Sequence, residues 1–207
     1  MKVDKNKKYY KVVDEKGHFG LNYRLGLNRD PLPFNDNKDE CVKGGIHFSD
    51  LDNILSYFSY GDYVAEVEIP ADAKVCTDDD WNEARADKII INKMISKKDF
   101  VSWLIDSEQL NWGKYSWAVA EFCPHKLDPE KYNWKEYSWA VAEYCPEKID
   151  PEKYNWEEYS WFVAVFCPEK IDTERFNWKE HSWAVAKYCP KKLKLRPKNK
   201  EGKNDSQ

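Results

Sequence analysis

Four histidines, six cysteines and a run of three aspartates are the residues of this chain with the capacity for chemistry, and their spacing decides what they can do. His18, His47, His125 and His181 are scattered along the chain, and there is no Cys-x-x-Cys or Cys/His pair at zinc-ligand spacing. Asp78-Asp79-Asp80 can gather a cation, but three consecutive carboxylates without the frame of an EF-hand read as a solvated loop. A nucleophile-elbow Gly-x-Ser-x-Gly, a P-loop, a His-Glu-x-x-His helix and a Gly-x-Gly-x-x-Gly turn are all missing. Motifs therefore assign no catalytic residue, no metal and no cofactor. What does recur is structural: Cys123, Cys145, Cys167 and Cys189 stand at one constant interval, each followed by Pro.

The cysteines belong to a longer repeated sentence. Asn-Trp, two further residues, an aromatic or His, and Ser-Trp recur from Asn111, Asn133, Asn155 and Asn177 without insertion or deletion. A fixed short period marks identical supersecondary units, each too small to bury its apolar face alone. In the second unit Asp128-Pro129-Glu130 predicts one helical turn, with Asp as cap and Pro at the first helical position. Asn133 then caps a helix over about three turns, Glu136 completes a capping box, and Pro146 stops it. Neighbouring helices in such a stack lie about 8–10 Å apart, whereas a disulfide needs Cα atoms within about 7 Å. The repeated cysteines are expected to be buried, reduced thiols.

Projection of the third unit at about 100° per residue puts Trp156, Ser160, Val163, Ala164 and Cys167 on one core stripe, flanked by Tyr159 and Phe166. Glu157, Glu158 and positions 162 and 165 fall on the predicted solvent side. Two features disturb a plain solvated face. The second tryptophan of each unit, Trp117, Trp139, Trp161 and Trp183, projects among polar positions. It either packs under the Asp-Pro-Glu turn of a neighbouring repeat or forms a ladder of partly exposed indoles that partner residues can use. The third unit also carries Phe162 where the others have Ala118, Ala140 and Ala184, and Val165 where they have Glu121, Glu143 and Lys187. Phe162 and Val165 lie three apart and make one apolar patch, a candidate docking site or a contact with the N-terminal part. His181 replaces Tyr115, Tyr137 and Tyr159, which predicts a packing role, and His125 falls in a loop.

Apolar content of 42% supports a core, and 34% charged residues leave a net charge of only -4. Residues 1–106 carry 16 basic and 20 acidic side chains, and residues 107–190 carry 10 and 15. Neither part has the basic footprint of a nucleic-acid binder. Only the tail from Lys191 to Lys203 is basic enough to touch phosphate, and a solvated disordered end is its simpler reading. No apolar run approaches the ~18 residues of a membrane helix, and Met1–Lys8 lacks an apolar signal region. No membrane contact and a cytoplasmic, reducing location are expected.

Residues 1–95 follow a different grammar. Tyr9–Val13, Tyr63–Ile69 and Lys88–Lys93 predict strands, Asp50–Tyr60 predicts a short amphipathic helix with Leu51, Ile54, Leu55 and Phe58 inward, and Ser96–Ile105 predicts a helix that links to the array and covers its first end. Tyr9-Tyr-Lys-Val, Gly20-Leu-Asn-Tyr-Arg-Leu-Gly-Leu-Asn28, Cys41-Val-Lys-Gly-Gly-Ile-His-Phe-Ser49, the run from Tyr60 to Val75 and Ala86-Asp-Lys-Ile-Ile90 together resemble an N-terminal module found before ankyrin or other repeats in giant viruses of the mimivirus type, with related modules in phage and bacterial proteins. The resemblance brings no catalytic residues. It implies a viral or mobile-element repeat protein whose array contacts other proteins.

A second segment, Gly45-Ile-His-Phe-Ser49 followed by a helix and a Val/Glu strand, is similar to the middle motif of ADP-ribosyltransferase-like folds. That likeness implies that His47, Phe48 and Ser49 line a nicotinamide pocket, with Glu66 or Glu68 as the carboxylate. The first strand, Tyr9–Val13, lacks the Arg or His that holds the dinucleotide in those enzymes.

The chain is accordingly read as α+β: a small β-rich module (1–95), a linking helix (96–106), a short α-solenoid of four 22-residue repeats (107–190) and a basic tail (191–207). The leading function is non-enzymatic binding of a host or viral protein through the array. The alternatives are an NAD-binding ADP-ribosyltransferase-like module, active or decayed, and a protein that sequesters a nucleotide or small signal, with Arg24, Lys43 and Arg85 as basic candidates.

Overall fold

The computed structural model describes residues 3–14, 17, 21–37, 43–78 and 83–197; His18, Cys41, Asp79, Asp80 and the tail beyond 197 lie outside them. The chain divides into two compact units, Met1–Leu110 and Asn111–Gln207.

The first unit is built on one antiparallel sheet of seven strands: β1 (Tyr9–Val13), β2 (Gly26–Arg29), β3 (Ile46–Ser49), β4 (Tyr63–Glu68), β5 (Val75–Asp78), β6 (Glu83–Ala86) and β7 (Lys88–Ser96). Their order across the sheet is β2-β7-β4-β1-β3-β6-β5. The central β1 is buried along its whole length because both of its faces are covered. Tyr9 and Val13 join Ile46, Phe48, Ala65, Val67, Ile89 and Ile91 on one side. On the other, Tyr10 meets Phe100 edge-on at 5.4 Å. Phe100 lies on α1 (Lys97–Asp106), which Ser96 caps by accepting the Asp99 N–H at 3.1 Å. The predicted helix at Asp50–Tyr60 is instead a 3-10 segment over Ile54–Tyr60, and its Asn53 makes no side-chain cap bond. The tighter i→i+3 turn still buries Ile54, Leu55 and Phe58, three of the four residues expected inward.

The second unit is a helical repeat array: α2 (Trp112–Phe122), α3 (Trp134–Tyr144), α4 (Trp156–Phe166) and α5 (Trp178–Tyr188). Each helix stops before its Cys-Pro, and each Pro opens a short 3-10 turn, Pro146–Lys148 after α3 for instance. Asp128 caps one turn before α3 as expected, its carbonyl taking the Tyr132 N–H at 3.0 Å and its carboxylate the Glu130 N–H at 3.0 Å.

The repeated Asn is more than a cap. Asn133 Oδ1 accepts from the Glu136 N–H at 3.3 Å, while its Nδ2 donates to the Gly113 carbonyl of the preceding repeat at 2.8 Å. Its backbone N–H donates to Ser116 Oγ at 2.9 Å, so the reciprocal half of the expected capping box is taken by the preceding repeat's serine instead of Glu136. Asn155 repeats all three bonds with Glu158, Lys135 and Ser138. Aspartate can cap but cannot donate, which is why the position is Asn.

These links reveal a helix held on two sides. Ala118, Ala140 and Ala184, assigned by the helical projection to solvent, are fully buried at 0% exposure. The projection presumes one core stripe; each interior helix of this stack packs against a predecessor and a successor, so two flanks are apolar. Phe166 errs the other way, being 46% exposed instead of flanking the core.

Candidate functional site

The two tryptophans of each repeat have different environments. The first, Trp134, Trp156 and Trp178, is buried, and its Nε1 donates to the carbonyl of Pro129, Pro151 or Thr173 at 3.0, 3.0 and 2.9 Å. Its ring packs on Tyr132, Tyr154 or Phe176 at 4.8–4.9 Å between centroids. This is the tryptophan tied to the Asp-Pro turn, and its role is to hold the fold.

The second tryptophan lines the surface. Trp117, Trp139 and Trp161 are half-buried and Trp183 is 50% exposed. Among the described residues, the indole N–H groups of Trp139, Trp161 and Trp183 have no hydrogen-bond acceptor, and none is sealed from solvent. Phe162 joins these rungs. Its ring lies 5.8 Å from Trp139, 3.8 Å from Trp161 and 6.1 Å from Tyr159, and stacks on Phe166 at 5.8 Å. Trp161 in turn lies 6.1 Å from Trp183, and Trp139 lies 6.4 Å from Tyr144. Seven aromatic rings thus form one connected cluster across repeats two to four: Trp139, Tyr159, Trp161 and Phe162 are half-buried and pack against the core of the array, so Phe162 is not on the open solvent side expected of it, and Tyr144, Phe166 and Trp183 are exposed.

Val165 is half-buried beside it. Tyr144, Phe166 and Tyr188, the aromatics before each Cys-Pro, are exposed and enlarge the surface. Sequence reasoning missed these three. Their period was visible, but the projection put that position beside the core.

Acidic neighbours colour the ridge. The Tyr144 hydroxyl is pushed up, first by burial and then by Glu121 and Glu143. At the far end Lys187 lies over the Tyr188 ring at 4.9 Å. The residue four beyond each ladder tryptophan is Glu121, Glu143, Val165 and Lys187 in turn, so charge runs from acidic to basic along the array. His181 Nδ1 lies 2.8 Å from Ser160 Oγ between repeats, the packing position expected of it, and burial holds its pKa below the ordinary value. His125 is exposed on a 3-10 turn. Burial pushes the Cys145 and Cys167 thiols up to about 12, and both are free.

In the first unit the residues of the ADP-ribosyltransferase-like motif do not converge. Strand alternation sends Phe48 to the Tyr9 side of the sheet, at 5.1 Å from that ring, and His47 and Ser49 to the other. His47 Nδ1 pairs with Glu83 at 3.0 Å, and Ser49 is buried. Glu66 sits in register with Tyr10, which is in register with Ser49, so a whole strand separates the serine from the carboxylate by about 10 Å. Glu66 pairs with Lys8 at 2.9 Å, and Glu68 is exposed.

Arg24 and Lys43 are exposed, whereas Arg85 is buried with its guanidinium on the Asn37 carbonyl and 3.9 Å from Cys76 Sγ. No group of three His, Cys, Asp or Glu fit to hold a metal ion occurs among the described residues. No helix among them is long and apolar enough to cross a membrane.

Among known proteins, one from Acanthamoeba polyphaga mimivirus, named as an ankyrin repeat protein, is 39% identical over 75 residues, 32% of this chain and 24% of its own length. A second of that name and virus is 29% identical over 121 residues, 52% of this chain and 60% of its length. A third is 41% identical over 59 residues, 28% of this chain and 18% of its length. The chain therefore spans less than two thirds of the length of these relatives. No protein-family model and no solved structure matches. A single α-helix per repeat also differs from the two-helix ankyrin unit. The similarity relates the chain to giant-virus repeat proteins at modest identity.

Proposed function

We propose that the protein is a non-enzymatic, virus-encoded interaction protein whose repeat array docks a protein partner through Phe162, Val165 and the ladder of Trp117, Trp139, Trp161 and Trp183. The observation that carries the reading is the connected aromatic surface around Phe162. Exposed clusters of large aromatics are where binding energy concentrates in protein interfaces. The mimivirus relatives' name as repeat proteins supports the same class.

The test is the double variant Phe162→Ala, Val165→Glu in the full chain. Its urea midpoint is expected to fall, because Phe162 is half-buried against four rings, but the variant should remain folded, while proteins captured by the parent from an amoeba lysate are lost. Unfolding of the variant, or unchanged capture, refutes the patch as a docking centre.

A further inference from the structure

Three times over, the array displays how one repeat holds the next. The N–H groups of Asn133, Asn155 and Asn177 donate to Oγ of Ser116, Ser138 and Ser160 in the preceding repeat at 2.9, 2.9 and 3.2 Å. Their Nδ2 groups donate to the carbonyls of Gly113, Lys135 and Glu157 at 2.8, 2.9 and 3.0 Å. Two residues before the asparagine, Lys153 and Arg175 reach back to Glu130 and Glu152. The fourth repeat carries the same receiving groups, and they are empty. Among the described residues Ser182 has no hydrogen-bond partner, the Lys179 carbonyl takes no side-chain donor, and Glu174 has no ion-pair partner. Ser182 and Cys189 are half-buried and Ala186 is exposed, whereas the earlier copies of all three are sealed. A successor is what those copies have and the fourth lacks among the described residues. The uncovered residues therefore outline a successor's footprint.

Charge narrows the occupant. From Lys187 to Arg196 there are five bases and no carboxylate, and Lys191, Lys194 and Arg196 stand where repeat three has Glu169, Asp172 and Glu174. A second copy brought face to face sets these bases against their own kind. Nor does a second copy offer an open incoming side. Its later helices are covered by their predecessors, and Tyr115 is already sealed at the position from which the Tyr137 hydroxyl reaches back to the Lys114 carbonyl at 2.7 Å. Residues 191–207 are basic themselves and hold no tryptophan. We propose that the outgoing face of the fourth repeat binds an acidic helical unit of this same pattern carried by another chain. The capping Asn of that unit donates to Ser182 Oγ and the Lys179 carbonyl, and a cation two residues before it meets Glu174. This goes beyond the docking patch around Phe162, which belongs to the third repeat.

The experiment uses the full chain and a fluorescein-labelled polypeptide copying residues 127–170, which presents the incoming side of repeat two and carries 10 acidic and 5 basic side chains. Saturable anisotropy is expected, with alkylation of Cys189 by iodoacetamide slowed about tenfold at saturation. Asn133→Asp in the probe keeps the cap but removes the Nδ2 donor, and should weaken binding about three- to tenfold. Glu174→Lys in the chain should weaken it about two- to fivefold, and Lys131→Glu in the probe should restore it. Ala186→Arg, at a site already exposed, should leave the urea midpoint in place and abolish binding. No saturable binding at about 1 mM probe overturns the proposal, as does binding that Ala186→Arg leaves unchanged. Equal binding by a probe of scrambled order, which keeps the charge and loses the unit, overturns it too. The Phe162 patch is read by lysate capture, so the two readings fail separately.

Discussion

Lys11 is the residue most at odds with its surroundings. It lies in the middle of β1 at 9% exposure, donates from Nζ to the His47 carbonyl at 3.0 Å and sits 5.0 Å over the Tyr23 ring. Burial lowers its pKa from 10.5 to about 8, with Glu83 and Asp30 opposing the shift. Between pH 8 and 10.5 the unfolded chain therefore holds a proton that the folded chain has shed, so this residue makes stability rise with pH across that window. Below pH 8 its full cost is present. Lys11→Met should stabilise the fold at pH 7 by roughly 1–3 kcal/mol, less than the pKa shift alone implies because the bond to the His47 carbonyl is lost. The gain should shrink towards zero near pH 10.5, measured as the difference in urea midpoint between variant and parent. The sequence gives no hint of this burial, since a Lys between Tyr10 and Val12 in an apparently alternating strand reads as its solvent-facing residue. Covering both faces of β1 removes that choice. The tryptophans show the same division. Their period was legible, but which of the two binds the turn depends on where the neighbouring repeat lies.

At the scale of the element, the repeat is secured by a hydroxyl. Ser138 is fully buried, donates to the Trp134 carbonyl and accepts the Asn155 N–H at 2.9 Å, and Ser116 does the same for Asn133. In the fourth repeat the His181 ring shares Ser160 Oγ, and the Asn177 N–H stands farther off at 3.2 Å. Ser138→Ala strands the Asn155 N–H between two helices and should cost about 1–3 kcal/mol, read as a lower urea midpoint for the array. The first two helices of the array are kinked at the same position, Tyr115 at φ -132° and ψ 21° and Tyr137 at φ -126° and ψ 17°, whereas α4 runs regular although Tyr154 and Tyr159 make the same hydroxyl–carbonyl bond as Tyr132 and Tyr137. Caps, stops and helix lengths were readable because they are encoded within a few residues. The Ser–Asn link was not, because its partners belong to successive repeats and meet only when those repeats stack. The short strands β2, β5 and β6 were missed for a related reason. Runs such as Gly26-Leu-Asn-Arg29 and Glu83-Ala-Arg-Ala86 lack the branched and aromatic alternation of a strand and are held by the ladders beside them.

For the molecule as a whole, stacked repeats lend each other stability only through their neighbours. Cys123, Cys145 and Cys167 are buried at 0–1% exposure, whereas Cys189 is half-buried; Ala186 is exposed where Ala120, Ala142 and Ala164 are sealed. Among the described residues the fourth repeat thus has an uncovered flank. In native protein, Cys189 should be alkylated by iodoacetamide at least about tenfold faster than Cys145 or Cys167, and amides of α5 should exchange before those of α3. Peptide-resolved mass spectrometry reads both, and equal protection of α5 and α3 would show that something covers that flank.

By itself the sequence determined the number of repeats, their period, their caps and stops, and the division into a strand-rich part and a helical part. These follow from local rules: proline and asparagine at helix ends, apolar periodicity, and a motif copied at one constant interval. Only the tertiary structure decided which faces those helices bury, which strands join the sheet, and which tryptophan of each repeat gives its indole N–H to the turn. An interior helix has two packed flanks and a central strand has two covered faces, and neither can be counted from one element alone. The same holds for Phe162. Its departure from alanine is written in the sequence, but its place among six other rings is a product of the stack.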